Sequence, residues 1–107
     1  MLQDTINKLE RIIAESEHLT PERQQELKAL AKELRAELTE LEKTQQEQAN
    51  SIAEHAERLA QESLREEQDE ERLAVSVGGL KAAIREFEAS HPNLTRVINS
   101  ICVAFEV

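Results

Sequence analysis

The sequence has 107 residues and a formal charge of −9, because 22 acidic residues outnumber 13 basic ones. It contains two glycines, two prolines, two phenylalanines, and no tryptophan or tyrosine. Such a scarcity of turn-forming and aromatic residues argues against sandwiches, barrels and doubly wound sheets. We expect an all-α protein of four or five helices, arranged as antiparallel hairpins in an elongated, coiled-coil-like bundle. The excess of acidic residues also argues against nucleic-acid binding, which needs clustered lysines and arginines.

Two helices are predicted in the first 41 residues. An apolar stripe at helical spacing predicts a first helix from about residue 4 to residue 18. Thr20 followed by Pro21 is typical of a helix start, with Thr20 as the N-cap. The second helix carries a seam of leucines: Leu27, Leu30, Leu34, Leu38 and Leu41. Because the connection is short, we expect the two helices to form an antiparallel hairpin.

The middle of the chain leaves two boundaries open. Residues 44–50 contain no large apolar residue, so the second helix either continues through them or breaks near residue 50. A seven-residue apolar repeat runs from Ile52 to Phe87, but Glu66 and Glu70 occupy its seam. Because buried glutamates need partners, residues 65–72 form either an exposed hinge or a solvated bridge within one helix. We favour the hinge.

Two further helices are predicted after this hinge. The first runs from about residue 71 to residue 89 and passes through Gly78 and Gly79. This glycine pair indicates either the close approach of a partner helix or a kink, and the sequence does not favour one over the other. The last helix begins at Pro92 and runs to about residue 105, since the residue before a proline avoids the α region.

Charge divides the single predicted domain into three regions. Residues 1–64 form an acidic hairpin region, residues 65–72 a charged hinge, and residues 73–107 a helix pair with three acidic and three basic residues. Because this last region is neutral and apolar, we predict that it joins copies of the chain into a homodimer or higher homo-oligomer. The predicted interface consists of Leu73, Val77, Leu80, Ile84, Phe87, Leu94, Ile98, Ile101 and Phe105.

The leading functional hypothesis is a non-enzymatic helical module that self-associates or binds an unidentified protein partner. The sequence has no phosphate-binding loop and no spacing typical of a catalytic triad, so we expect no enzymatic activity. Cys102 is the single cysteine, which excludes an internal disulfide. No cofactor is expected.

The alternative hypothesis is a metal-binding helical bundle of the di-metal carboxylate type. Glu15 and His18, and likewise Glu88 and His91, have the Glu-x-x-His spacing that places two ligands on one helix face. Because 20 of the 107 residues are glutamate, two such matches arise easily by chance. We therefore rank this hypothesis second and expect no metal.

No segment of the sequence is typical of membrane insertion or secretion. The longest uncharged stretch near the end, from residue 97 to residue 105, has about half the length needed to span a bilayer. Charged residues within the first turns argue against a secretory signal. We expect a cytoplasmic protein.

The stretch from Leu80 to Thr95 resembles a bacterial family catalogued as a domain of unknown function, number 4404. The most specific part is Phe87-Glu88-x-x-His91-Pro92-x-Leu94. The resemblance implies an all-helical bacterial cytoplasmic protein and assigns no activity. At this corner we expect Phe87 and Leu94 to pack together, and His91 to cap the last helix or bond to the backbone.

Overall fold

The computed structural model describes residues 2–64 and 69–106, and these residues fold into five α-helices without a strand. The helices are α1 (Leu2–Glu15), α2 (Pro21–Glu42), α3 (Gln46–Ser63), α4 (Glu70–Ile84) and α5 (Pro92–Glu106). A short 3₁₀ turn (Arg85–Phe87) follows α4. The prediction of an all-α bundle of four or five helices is confirmed.

Side-chain bonds to the backbone set several helix ends. The Thr20 hydroxyl accepts a hydrogen bond of 3.1 Å from the Arg23 amide, as an N-cap does, and Pro21 opens α2. The Gln24 amide donates to the carbonyls of Ile13 and Ala14, at 3.0 and 2.9 Å. These are carbonyls that a helix end leaves free, so Gln24 ends α1 at Glu15, three residues earlier than predicted.

The two boundaries that the sequence left open fall at different places. The second helix neither continues nor breaks near residue 50, because α2 ends at Glu42 and α3 begins at Gln46. Residues 65–68 of the predicted hinge lie outside the described residues. The rest of that segment belongs to α4, whose N-cap Asp69 accepts from the amides of Glu71 and Arg72. The predicted fourth helix is also shorter, because α4 ends at Ile84 and not near residue 89.

The central helix of the bundle is α3, which contacts each of the other four helices. The apolar seams of all five helices meet in one core. Fully buried examples are Ile6, Leu34, Leu59, Leu80 and Ile98. The radius of gyration is 12.8 Å, close to the value of about 13 Å expected for a compact domain of this length. The described molecule measures 37 by 24 by 22 Å.

Candidate interaction surface

The predicted interface residues lie mainly in the core of the single chain. Eight of the nine are buried, and Leu73 is half-buried against the same core. The expectation rested on the premise that thin helical hairpins cannot bury these side chains without a second copy. That premise is wrong for this fold, because α2 and α3 cover the apolar stripes of α4 and α5. An interaction surface must therefore be sought among the side chains that remain exposed.

The outer face of α4 carries the most exposed large apolar side chain. Val75 is 73% exposed, and Ala74, Gly78 and Ala82 are exposed beside it. The inner face buries Val77, Leu80 and Ile84, so the helix is apolar on both sides from residue 73 to residue 80, and the exposed Lys81 follows. A helix that is hydrophobic all round is normally covered on all sides. Among the described residues, nothing covers the outer face of α4.

The two glycines of α4 face different surroundings. A Cβ atom at Gly79 would lie 3.3 Å from Nδ1 of His55, so Gly79 allows α3 and α4 to pack closely. A Cβ atom at Gly78 would meet nothing within 4 Å, which places Gly78 on open surface. Neither glycine ends the helix. The close approach that the sequence suggested therefore occurs within the chain at Gly79, and Gly78 leaves space outside it.

A depression of about 360 Å³ lies beside Val75, between α3 and α4. Its lining residues are Arg58, Glu62, Glu71, Arg72, Val75 and Ser76. Ser76 is only 7% exposed, and its hydroxyl forms no hydrogen bond within residues 2–64 and 69–106. Because the hydroxyl is not fully buried, water in the depression can solvate it.

Opposite charges lie at the two ends of the outer face of α4. Glu71 is in the first turn, and Arg85 follows the last residue. Arg85 is the first residue of the 3₁₀ turn that follows α4. Its distance from Gly78 along the sequence, like that of Glu71, is close to two helical turns, so both residues lie near the side of Gly78. Both are exposed, and neither forms an ion pair within the part of the chain that the structure describes. They are free to pair with another molecule.

The second exposed valine lies on a more polar surface. Val103 of α5 is 59% exposed and lines a depression between α2 and α5. Its neighbours there are Glu26, Arg96, Asn99 and Ser100, which water solvates well. Arg96 also binds Glu33 of α2 at 3.2 Å. This surface has the polar character of an ordinary solvent-facing one.

The four candidate metal ligands lie at opposite ends of the bundle. Glu15 and His18 line a depression beside Leu64, at the end of α3. Glu88 and His91 follow the far end of α4, whose 15 residues separate the two ends by about 22 Å. The four side chains therefore do not come together at one site. In residues 2–64 and 69–106, no group of three or more histidine, cysteine or acidic side chains has a geometry that could hold a metal ion.

The corner between α4 and α5 has a structural role. Phe87 and Leu94 are both buried in the core, and the rings of Phe87 and His91 meet edge to face at 5.6 Å. The His91 carbonyl accepts the first helical hydrogen bond of α5 from Thr95, so His91 occupies the N-cap position. Its ring bonds to the Ser90 hydroxyl at 2.9 Å, and not to the backbone.

Sequence reasoning missed the outer face of α4, although the signal was present. Residues 73–80 contain no charged side chain on any side of the helix. One face of such a helix packs in the core, and the opposite apolar face stays exposed unless another element packs against it. Val75 is the apolar residue of this run that lies furthest from the predicted stripe.

Among the described residues, no helix is both long enough and apolar enough to cross a membrane. The comparisons with known proteins identify a family. Residues 32–106 match the family model described as "Domain of unknown function (DUF4404)", which is most of the chain. The curated proteins and the solved structures give no match. The chain belongs to the DUF4404 family.

Proposed function

We propose that this member of the DUF4404 family is a non-enzymatic helical module that associates with a second copy of itself. The observation that carries the proposal is the uncovered apolar face of α4, with Val75 73% exposed at its centre. Removing such a side chain from water stabilises a complex by about 1.5–3 kcal/mol. Two copies that present the same face would each cover the other.

The proposed surface is smaller than the predicted one, which covered both α4 and α5, and it lies on the opposite side of α4. The nine residues predicted as interface hold the chain together, whereas Ala74, Val75, Gly78 and Ala82 remain outside. The surface near Val103 is less suitable, because polar side chains surround that valine.

The remaining parts of the proposal come from composition. A charge of −9 repels nucleic acid, so we propose a protein partner. A cytoplasmic location agrees with the single cysteine, Cys102, which excludes an internal disulfide of the kind common in secreted proteins. The non-enzymatic role is supported by the sequence, which lacks a catalytic motif.

The proposal is tested by the mass of the chain in solution. The chain has a mass of 12.2 kDa, so a dimer gives about twice that value in light scattering or sedimentation. Val75→Glu places a charge in the contact and should return the monomer mass with an unchanged helical spectrum. Val103→Glu adds the same charge at the other exposed valine and should leave the dimer intact.

Two results would overturn the proposal. The first is a wild-type chain that remains at the monomer mass up to about 1 mM, which corresponds to a negligible affinity. The second is association that Val75→Glu does not weaken, because the contact would then lie elsewhere.

A further inference from the structure

We infer that two copies pack through α4 in antiparallel orientation, about a twofold axis at Gly78, with Glu71 of each copy opposite Arg85 of the other. This inference rests on the proposed self-association and specifies its geometry. The two charged side chains lie seven residues before and seven residues after Gly78. A twofold axis at that glycine therefore brings unlike charges together twice.

The spacing of the outer face agrees with this packing. Glu71, Val75, Gly78, Ala82 and Arg85 recur at steps of four, three, four and three residues. That is the spacing of a helix–helix seam. With the axis at Gly78, Ala74 of one copy lies opposite Ala82 of the other, and Val75 lies level with Lys81. The methylene groups of Lys81 can cover Val75 while its ammonium group stays in water.

Gly78 permits the closest contact at the point where the axis passes. Small residues at helix crossings let two backbones approach one another. Because a Cβ atom at Gly78 would meet nothing within its own chain, its missing side chain leaves room for another helix. Ala74 and Ala82, four residues away on each side, extend this small surface symmetrically.

The charges favour a second copy in this orientation over a parallel one. A parallel pair would place Glu71 against Glu71 and Arg85 against Arg85, and like charges at such short distance repel. In the antiparallel pair, each Glu71 faces an Arg85 of the other copy, so both contacts are attractive. Since Glu71 and Arg85 have no ion-pair partner in the described part of the chain, the contact breaks no existing pair.

The size of the surface sets the expected affinity. A helix of 15 residues is about 22 Å long and about 10 Å wide, so one face covers much less than the roughly 800 Å² per partner of a standard interface. We therefore expect reversible association with a dissociation constant in the micromolar range. Measurements should span concentrations from about 1 μM to about 1 mM.

Disulfide formation tests the position of the axis. All variants carry Cys102→Ala, so that the introduced cysteine is the only thiol; Cys102 itself is 1% exposed. Gly78→Cys should form a dimeric disulfide rapidly under mild oxidation. Ala82→Cys is the matched control, because two such residues lie about 12 Å apart along the antiparallel pair, beyond the reach of a disulfide. A mixture of Ala74→Cys and Ala82→Cys chains should cross-link to each other.

In a parallel pair each cysteine would meet its own copy, so Ala82→Cys chains would cross-link as readily as Gly78→Cys chains. Rapid cross-linking of Ala82→Cys alone would therefore overturn the inference.

Charge reversal tests the orientation independently. Glu71→Arg or Arg85→Glu alone should weaken the dimer about tenfold, because each turns two attractions into two repulsions. The double variant exchanges the charges and should restore the wild-type dissociation constant. In a parallel pair, neither single reversal would change the number of like-charge contacts, so unchanged affinity in both would contradict the antiparallel packing.

Failure of this inference and failure of the proposed function give different results. If the wild type dimerises and Val75→Glu separates it, but Gly78→Cys chains do not cross-link, the function stands and the packing is wrong. If the wild type is monomeric at all concentrations, both are wrong.

Discussion

The contact between α1 and α2 and the contact between α3 and α4 are made by different kinds of side chain. Between α1 and α2, the Arg35 guanidinium donates hydrogen bonds to Gln3, Asn7 and Glu10, with 2.7 Å to the Asn7 oxygen. Between α3 and α4, Gly79 packs closely against the ring of His55. Hydrogen bonds between polar side chains therefore stabilise the α1–α2 contact, whereas close packing at Gly79 stabilises the α3–α4 contact.

The outer faces of the two regions differ in the same way. The outer side of α2 carries charged, exposed residues such as Glu22, Lys32 and Glu40, which water solvates. The outer side of α4 carries Val75 and small residues in its middle part, with charged residues only towards the two ends. The comparison teaches that a bundle can bury its whole core and still leave one helix face incomplete. Charged side chains on an outer face indicate that this face is exposed to solvent. Burial of the inner face does not show this.

The largest effect is expected from a charge on the inner face of α4. Ile84 is 2% exposed, so Ile84→Asp buries a carboxylate among apolar side chains and should cost more than about 4 kcal/mol of unfolding free energy. We expect loss of the helical circular dichroism signal. Val75→Glu on the outer face of the same helix should keep that signal. If both variants stay folded, the assignment of inner and outer faces is wrong.

The same reasoning applies to Ile101, which is also 2% exposed. A charge at either isoleucine should unfold the chain rather than separate two folded copies. Sedimentation of a folded monomer after such a substitution would contradict this expectation.

Most of the fold could be predicted from the sequence, because residues close together in the chain indicate where the helices begin and which face is apolar. The leucine seam, Thr20 before Pro21, and Pro92 place the helices close to where they lie. The helix ends were less predictable, since hydrogen bonds between residues far apart in the sequence determine some of them. Gln24 ends α1 by binding the carbonyl of Ile13, eleven positions away, and no pattern within α1 indicates this bond.

The candidate surface could not be predicted from periodicity alone. An apolar stripe shows that a helix face is covered, but not whether the cover comes from the same chain or another. Leu80 and Ile98 read equally well as interface or as core, and the structure places both in the core. Which stripe is covered internally depends on how five helices pack around α3, and that arrangement is a property of the whole chain.

A smaller effect is expected when the polar network of the α1–α2 hairpin is broken. Arg35→Ala removes the donor for three acceptors, and its side chain and that of Glu10 are about one-third exposed. We expect a loss of about 1–2 kcal/mol in urea unfolding, since charge-assisted bonds of this kind exceed exposed ion pairs in strength. Lys43→Ala is the matched control.

The Lys43–Glu40 pair is 66% and 72% exposed, so its removal should change stability by less than about 0.5 kcal/mol. Equal losses for the two variants would show that the Arg35 network contributes no more than an ordinary surface pair.

The smallest effect distinguishes the two glycines of α4. Alanine stabilises a helix interior by about 1 kcal/mol relative to glycine. Gly78→Ala should gain this amount, because its Cβ atom enters open space. Gly79→Ala should gain less or lose stability, because the His55 ring, 3.3 Å from the new atom, must move. Both are measured by urea unfolding in the Val75→Glu background, so that association does not contribute. Equal gains would show that the contact between α3 and α4 does not depend on the missing side chain.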